Sequence, residues 1–131
     1  MKRHASNYYN TFIAVAEDCP VFTAIEPPLK EPRTAASIAY DMLYGHPYRY
    51  TADDVIYASN GARRGIPREE FFAKAQPCLR ASALGKRYGW GVHCDGDGRI
   101  AIVAVESGDY QRLAADESLS HMRAMRSGKG K

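Results

Sequence analysis

The spacing of hydrophobic positions changes along this chain, and each change predicts an element. "TFIAVA" (11–16) has the β-branched and aromatic content of a strand. Pro20, Pro27, Pro28 and Pro32 then force an irregular stretch from Cys19 to Arg33. From Thr34 the period becomes helical: Ala35, Ile38, Ala39 and Met42 share one face, and Gly45 with Pro47 ends a helix over 34–45. Thr51 is a natural N-cap with Asp54 at N3, which predicts a second helix over 51–60 closed by Gly61. A short helix opens at Pro67, carries Glu69 and Glu70 in its first turn and closes before Pro77.

The period then drops to two. Tyr88, Trp90, Val92 and Cys94 alternate with Gly89, Gly91 and His93; beyond "DGDG", Ile100, Ile102 and Ala104 alternate with Ala101, Val103 and Val105. Two such runs around Asp and Gly predict a β-hairpin over about 88–105, its second strand covered on both faces. Glycine in a strand marks a bulge or close approach, so something bulky is expected over Gly89 and Gly91, a neighbouring side chain or helix before a ligand. Ser107 should cap a helix over 108–115 with Tyr110, Leu113 and Ala114 inward. Leu119, Met122 and Met125 suggest a last helix running into a flexible basic tail over about 127–131. The expected fold is α+β, one domain over 1–131. An antiparallel sheet is built around the hairpin and joined by strand 11–16, with helices mainly on one face.

Composition narrows the class. The longest apolar run, "IAIVAV" (100–105), is far short of a membrane span, and polar "ASNYYN" after "MKRH" leaves no leader-like apolar region, so a cytoplasmic protein without membrane contact is expected. Cys19, Cys78 and Cys94 are odd in number and form no CxxC, which argues for reduced thiols and against a zinc clip or disulfide framework. The net charge of +3 comes from the ends. Without Lys2, Arg3, Arg123, Arg126, Lys129 and Lys131, 12 of the 18 basic residues face 15 acidic ones. A domain lying along phosphates carries positive charge in its folded body, so a nucleic-acid-binding domain ranks below a binding or interaction module.

Candidate chemistry is sparse. No GxGxxG or GxxxxGK[ST] is present. Asp95, Asp97 and Glu106 match EF-hand positions 1, 3 and 12, but Arg99 and Ile100 stand at positions 5 and 6, so the aspartates are turn residues and no metal is expected. Asp53 and Asp54 offset a helix dipole. Cys19 beside Glu17 and Asp18 is a poor nucleophile, because neighbouring carboxylates raise a thiol's pKa. No catalytic residue and no cofactor is assigned. An enzyme would have to centre on His93 with Cys78 or Glu17, converging in a concave pocket. The better candidate is a ligand-binding edge of Arg80, Lys86, Arg87, Trp90 and His93. Guanidinium and indole together hold small anions, although the same cations also serve to keep a hairpin edge from pairing with another sheet. The nine tyrosines, among them Tyr8, Tyr9, Tyr44, Tyr48, Tyr50 and Tyr57, suggest buried tethered hydroxyls or a homodimer interface.

Five segments, "YYNTFIAVAEDCP", "HPYRYTADDV", "FFAKAQPCLRASALGKRYGWGVH", "VESGDYQRL" and "MRAMRS", resemble in the same order one family of short bacterial proteins known only as a domain of unknown function. The resemblance covers nearly the whole chain and implies a stand-alone domain. It supplies no activity, cofactor, partner or site residue.

Overall fold

The turn Asp95–Gly98 is set by its own aspartate: Asp95 Oδ1 accepts the backbone N–H groups of Asp97 and Arg99, both at 2.9 Å. In the computed structural model, which describes residues 7–76 and 78–126, this turn joins β3 (Trp90–Cys94) to β4 (Arg99–Ala104), with Cys94 opposite Ile100 and Trp90 opposite Ala104. The strand expected over 11–16 forms as β1 (Thr11–Ala14) and pairs antiparallel with β3, Phe12 opposite His93. A short β2 (Tyr50–Thr51) pairs antiparallel with β4.

The end of the chain departs from expectation. Residues around Met122 form no helix but β5 (Ser120–Arg123), parallel to β1, so the sheet is mixed and five-stranded in the order β2-β4-β3-β1-β5. The backbone of β1 decides this: Ser120 N–H donates to the Asn10 carbonyl and Ala124 N–H to the Ala14 carbonyl. Spacing alone could not register that distant partner. The expected tail over 127–131 and the first six residues lie outside the described residues.

Local signals place the helices. Thr34 caps α1 (Ala35–Leu43), accepting the Ser37 N–H. Thr51 caps α2 (Ala52–Ile56) in a reciprocal box with Asp54. Burial opposes the charge of Asp54, but the Thr51 N–H and the Arg68 guanidinium hold its carboxyl below its ordinary value. The helix expected over 51–60 does not end at Gly61. It widens into a π turn (Tyr57–Gly61), tightens into a 3₁₀ turn (Ala62–Arg64) and stops at Gly65, whose φ of +74° suits glycine. Gly61 serves packing instead, since a Cβ there would lie 2.7–2.8 Å from the Tyr57 and Phe71 rings. The short helix expected from Pro67 is α3 (Arg68–Phe71); α4 (Ala83–Lys86) precedes the hairpin, and Ser107 caps α5 (Gly108–Ala114).

Alternation along the strands sorts the side chains. Ile13, Trp90, Val92, Cys94 and Ile100 face one way and build the core with Tyr40, Leu43, Val55, Ile56, Phe72 and Leu84 of the helical layer. Phe12, Gly91 and His93 face the other way, toward α5. The expectation that helix 108–115 joins the others is therefore corrected: α5 covers the opposite face. Leu113 is buried and Ala114 exposed. Tyr110 sets this docking, its ring edge-on to Phe12 at 5.1 Å and its hydroxyl accepting the Val15 N–H. The bulky neighbour expected over Gly91 is Tyr110, 2.7 Å from where a Cβ would stand.

Candidate functional site

Small side chains leave space between the helical layer and the sheet. α1 presents Ala35, Ala36 and Ala39, the segment before β3 presents Ala81, Ala83 and Gly85, and Ala124 closes one side. Between them lies a cavity of about 310 Å³. Its floor is Ile13, Trp90 and Val92 of the sheet, and the π turn contributes Ser59 and Asn60. A cavity of this size with an apolar wall and few polar groups has the build of a small-molecule site, and π turns recur at functional positions. No lining side chain is charged.

The polar wall groups are tethered. Ser59 Oγ–H donates to the Val55 carbonyl at 2.7 Å, and Asn60 Nδ2 donates to the Ile56 carbonyl and to Ser59 Oγ, both at 3.2 Å. Ser82 Oγ accepts the Leu84 N–H. The Tyr8 hydroxyl donates to Cys78 Sγ at 3.1 Å. Burial, then this hydrogen bond, pushes the Tyr8 phenol up to about 12 against the pull of the Arg80 charge. Cys94, on the core face of β3, is also pushed up to about 12 by burial and is inert as a nucleophile. All three cysteines are free thiols.

The structure distributes the five residues of the expected hairpin edge over several environments. Trp90 is buried, donates its indole N–H to the Ile25 carbonyl at 2.8 Å and lines the cavity. Arg80 is half-buried, with Nε donating to the Arg123 carbonyl at 2.7 Å. Lys86 and Arg87 sit at the end of α4, where neither forms an ion pair among the described residues. His93 projects from the opposite face of the sheet to Trp90, so the five do not share one surface.

His93 meets Tyr48 instead: Tyr48 Oη and His93 Nδ1 are 2.7 Å apart. Burial and the Arg112 charge lower the His93 pKa, against the opposing pull of Asp95 and Asp116. Cys78 lines the cavity on the other side of the sheet, and Glu17 lies past the end of β1, loosely paired with Arg126 at 3.9 Å. The convergence that an enzyme of His93 with Cys78 or Glu17 requires is not present. Among the described residues no group of His, Cys, Asp and Glu is placed to hold a metal ion, and no helix is long and apolar enough to cross a membrane.

Sequence reasoning missed the cavity because its signal is small side chains, which read as an ordinary helical face at 35–39 and carry no periodic pattern at 81–85. Fold and site define a class, a small α+β domain with an open mixed sheet and an apolar cavity beside a π turn. The chain belongs to a family of unknown function, DUF6157, whose model matches residues 3–130. No curated protein and no solved structure matches it.

Proposed function

We propose that this protein is a binding module for a small molecule held in the cavity between α1, the π turn and the sheet. One observation carries the reading: about 310 Å³ of apolar space is walled by regular elements. An apolar recess of this size, bordered by few polar groups, is the usual build of a small-molecule site. The test is naphthalene binding by wild type and Ala39→Leu, followed by ligand-detected NMR. Ala39 is buried on the cavity wall, so leucine fills the space. The variant should gain about 0.5–2 kcal/mol of stability and lose naphthalene binding. Equal binding by both proteins would remove the cavity from consideration.

A second reading keeps a small anion at Lys86 and Arg87, supported by two adjacent cations without an ion pair among the described residues. It predicts stabilisation by phosphate compounds that disappears in Arg87→Glu.

A further inference from the structure

Resting on the cavity reading, we propose that the ligand is a neutral molecule of about two fused rings carrying one hydroxyl or amide group, and that this group is read by Asn60 and Ser82. Size sets the first limit. A cavity of roughly 150 Å³ holds benzene, and this one is about twice that. Charge sets the second. The wall carries no charged side chain; of the three cations next to wall residues, Arg80 turns its Nε to the Arg123 carbonyl, Arg123 turns Nη1 to the Val15 carbonyl, and Lys86 follows Gly85 at the end of α4. A carboxylate or ammonium drawn into the cavity would lose hydration and find no charged side chain on the wall itself.

Hydrogen-bond accounting sets the third. The Ile56 carbonyl can only accept, so the Asn60 group facing it is the NH₂, whose second hydrogen goes to Ser59 Oγ. Ser59 is then complete, because its own hydrogen goes to the Val55 carbonyl. The Asn60 Oδ1 acceptor remains, with no protein donor among the described residues. Ser82 accepts the Leu84 N–H, and its hydroxyl hydrogen likewise remains. Asn60 on the π turn thus offers the lining an acceptor and Ser82, the N-cap of α4, offers it a donor, which suits a ligand group that both donates and accepts. Hydroxyls and amides do both; an ether, a ketone or a halogen cannot satisfy Asn60.

The test uses three probes of matched size at pH 7.5 on the full chain: naphthalene, 2-naphthol and 2-naphthoate. Dissociation constants come from isothermal titration or NMR. Naphthol should bind about tenfold or more tightly than naphthoate, the penalty of an unpaired charge. It should bind about fivefold more tightly than naphthalene, the worth of the hydrogen bonds. Asn60→Leu should erase the advantage of naphthol over naphthalene while leaving naphthalene within about twofold. If Asn60→Leu does not fold, Ser82→Ala carries the same comparison. Naphthoate binding as tightly as naphthol overturns the neutral-ligand assignment. Naphthol binding no better than naphthalene overturns the polar reading of Asn60 and Ser82. Failure of all three to bind folded wild type overturns the cavity reading itself.

Discussion

Tyr48 adopts φ +60°, a left-handed conformation that an aromatic residue takes only when its surroundings impose it. Two contacts do so here: its N–H donates to the Ile100 carbonyl at 2.9 Å, and its hydroxyl reaches His93 Nδ1. Burial holds the His93 pKa down, and in the Nε2–H tautomer the neutral ring accepts that hydroxyl, which supports the uncharged form. The folded pKa lies below the ordinary value, so the unfolded chain takes up a proton first as pH falls. The stabilisation is therefore complete above the unfolded pKa of about 6.5 and is lost as pH drops from there through the folded value. Tyr48→Phe should move the His93 titration upward in an NMR experiment and flatten the fall in urea midpoint below pH 6.5. Identical pH slopes in the two proteins would mean that the hydroxyl does not hold the ring neutral.

At the scale of elements, the seat of α5 is the sharpest case. Gly91 leaves room for Tyr110 and Phe12, which would stand 2.7 Å and 3.0 Å from an added Cβ. Gly91→Ala should cost about 1–3 kcal/mol in chemical denaturation, because β3 is central and the Tyr110 ring cannot retreat without losing its bond to Val15. Gly108→Ala is the control: a Cβ there meets nothing within 4 Å, and replacing glycine in a helix gains about 0.5 kcal/mol. A neutral Gly91→Ala would show that α5 floats on the sheet. The sequence announced the hairpin, the helix start at Thr34, the caps at Thr51 and Ser107, and a crowded Gly91, because each is written within a few residues. It did not announce β5, whose identity depends on a partner at the far end of the chain, nor the π turn, because Gly61 looks like a helix stop until Tyr57 and Phe71 crowd it. The site was harder still. Charge and aromaticity drew attention to Arg80, Lys86, Arg87, Trp90 and His93, yet of these five only Trp90 lines the cavity, and it does so as wall.

At the scale of the molecule, the two ends of the described chain close the cavity together. β1 and β5 lie side by side, and the chain beyond each is stitched down beside the site: past β5, Ala124 N–H donates to the Ala14 carbonyl and Met125 N–H to the Arg80 carbonyl; past β1, Ala16 N–H donates to the Gly85 carbonyl. Ala124 is itself a wall residue, with its Cβ 3.0 Å from where a Cβ on Gly85 would stand. An opening that frees Ala124 and Met125 therefore also opens the cavity, and a bound ligand must oppose it. With naphthol at 100 times its dissociation constant, hydrogen exchange of the Ala124 and Met125 amides should slow by roughly 100-fold if they exchange through that opening. The amides of α5 lie across the sheet, where local fraying does not release the ligand, and should keep their rates. Protection concentrated in α5 would place the ligand on the His93 face. Protection at Ala124 and Met125 would tie binding to the junction of the chain ends, where β5 completes both the sheet and the wall.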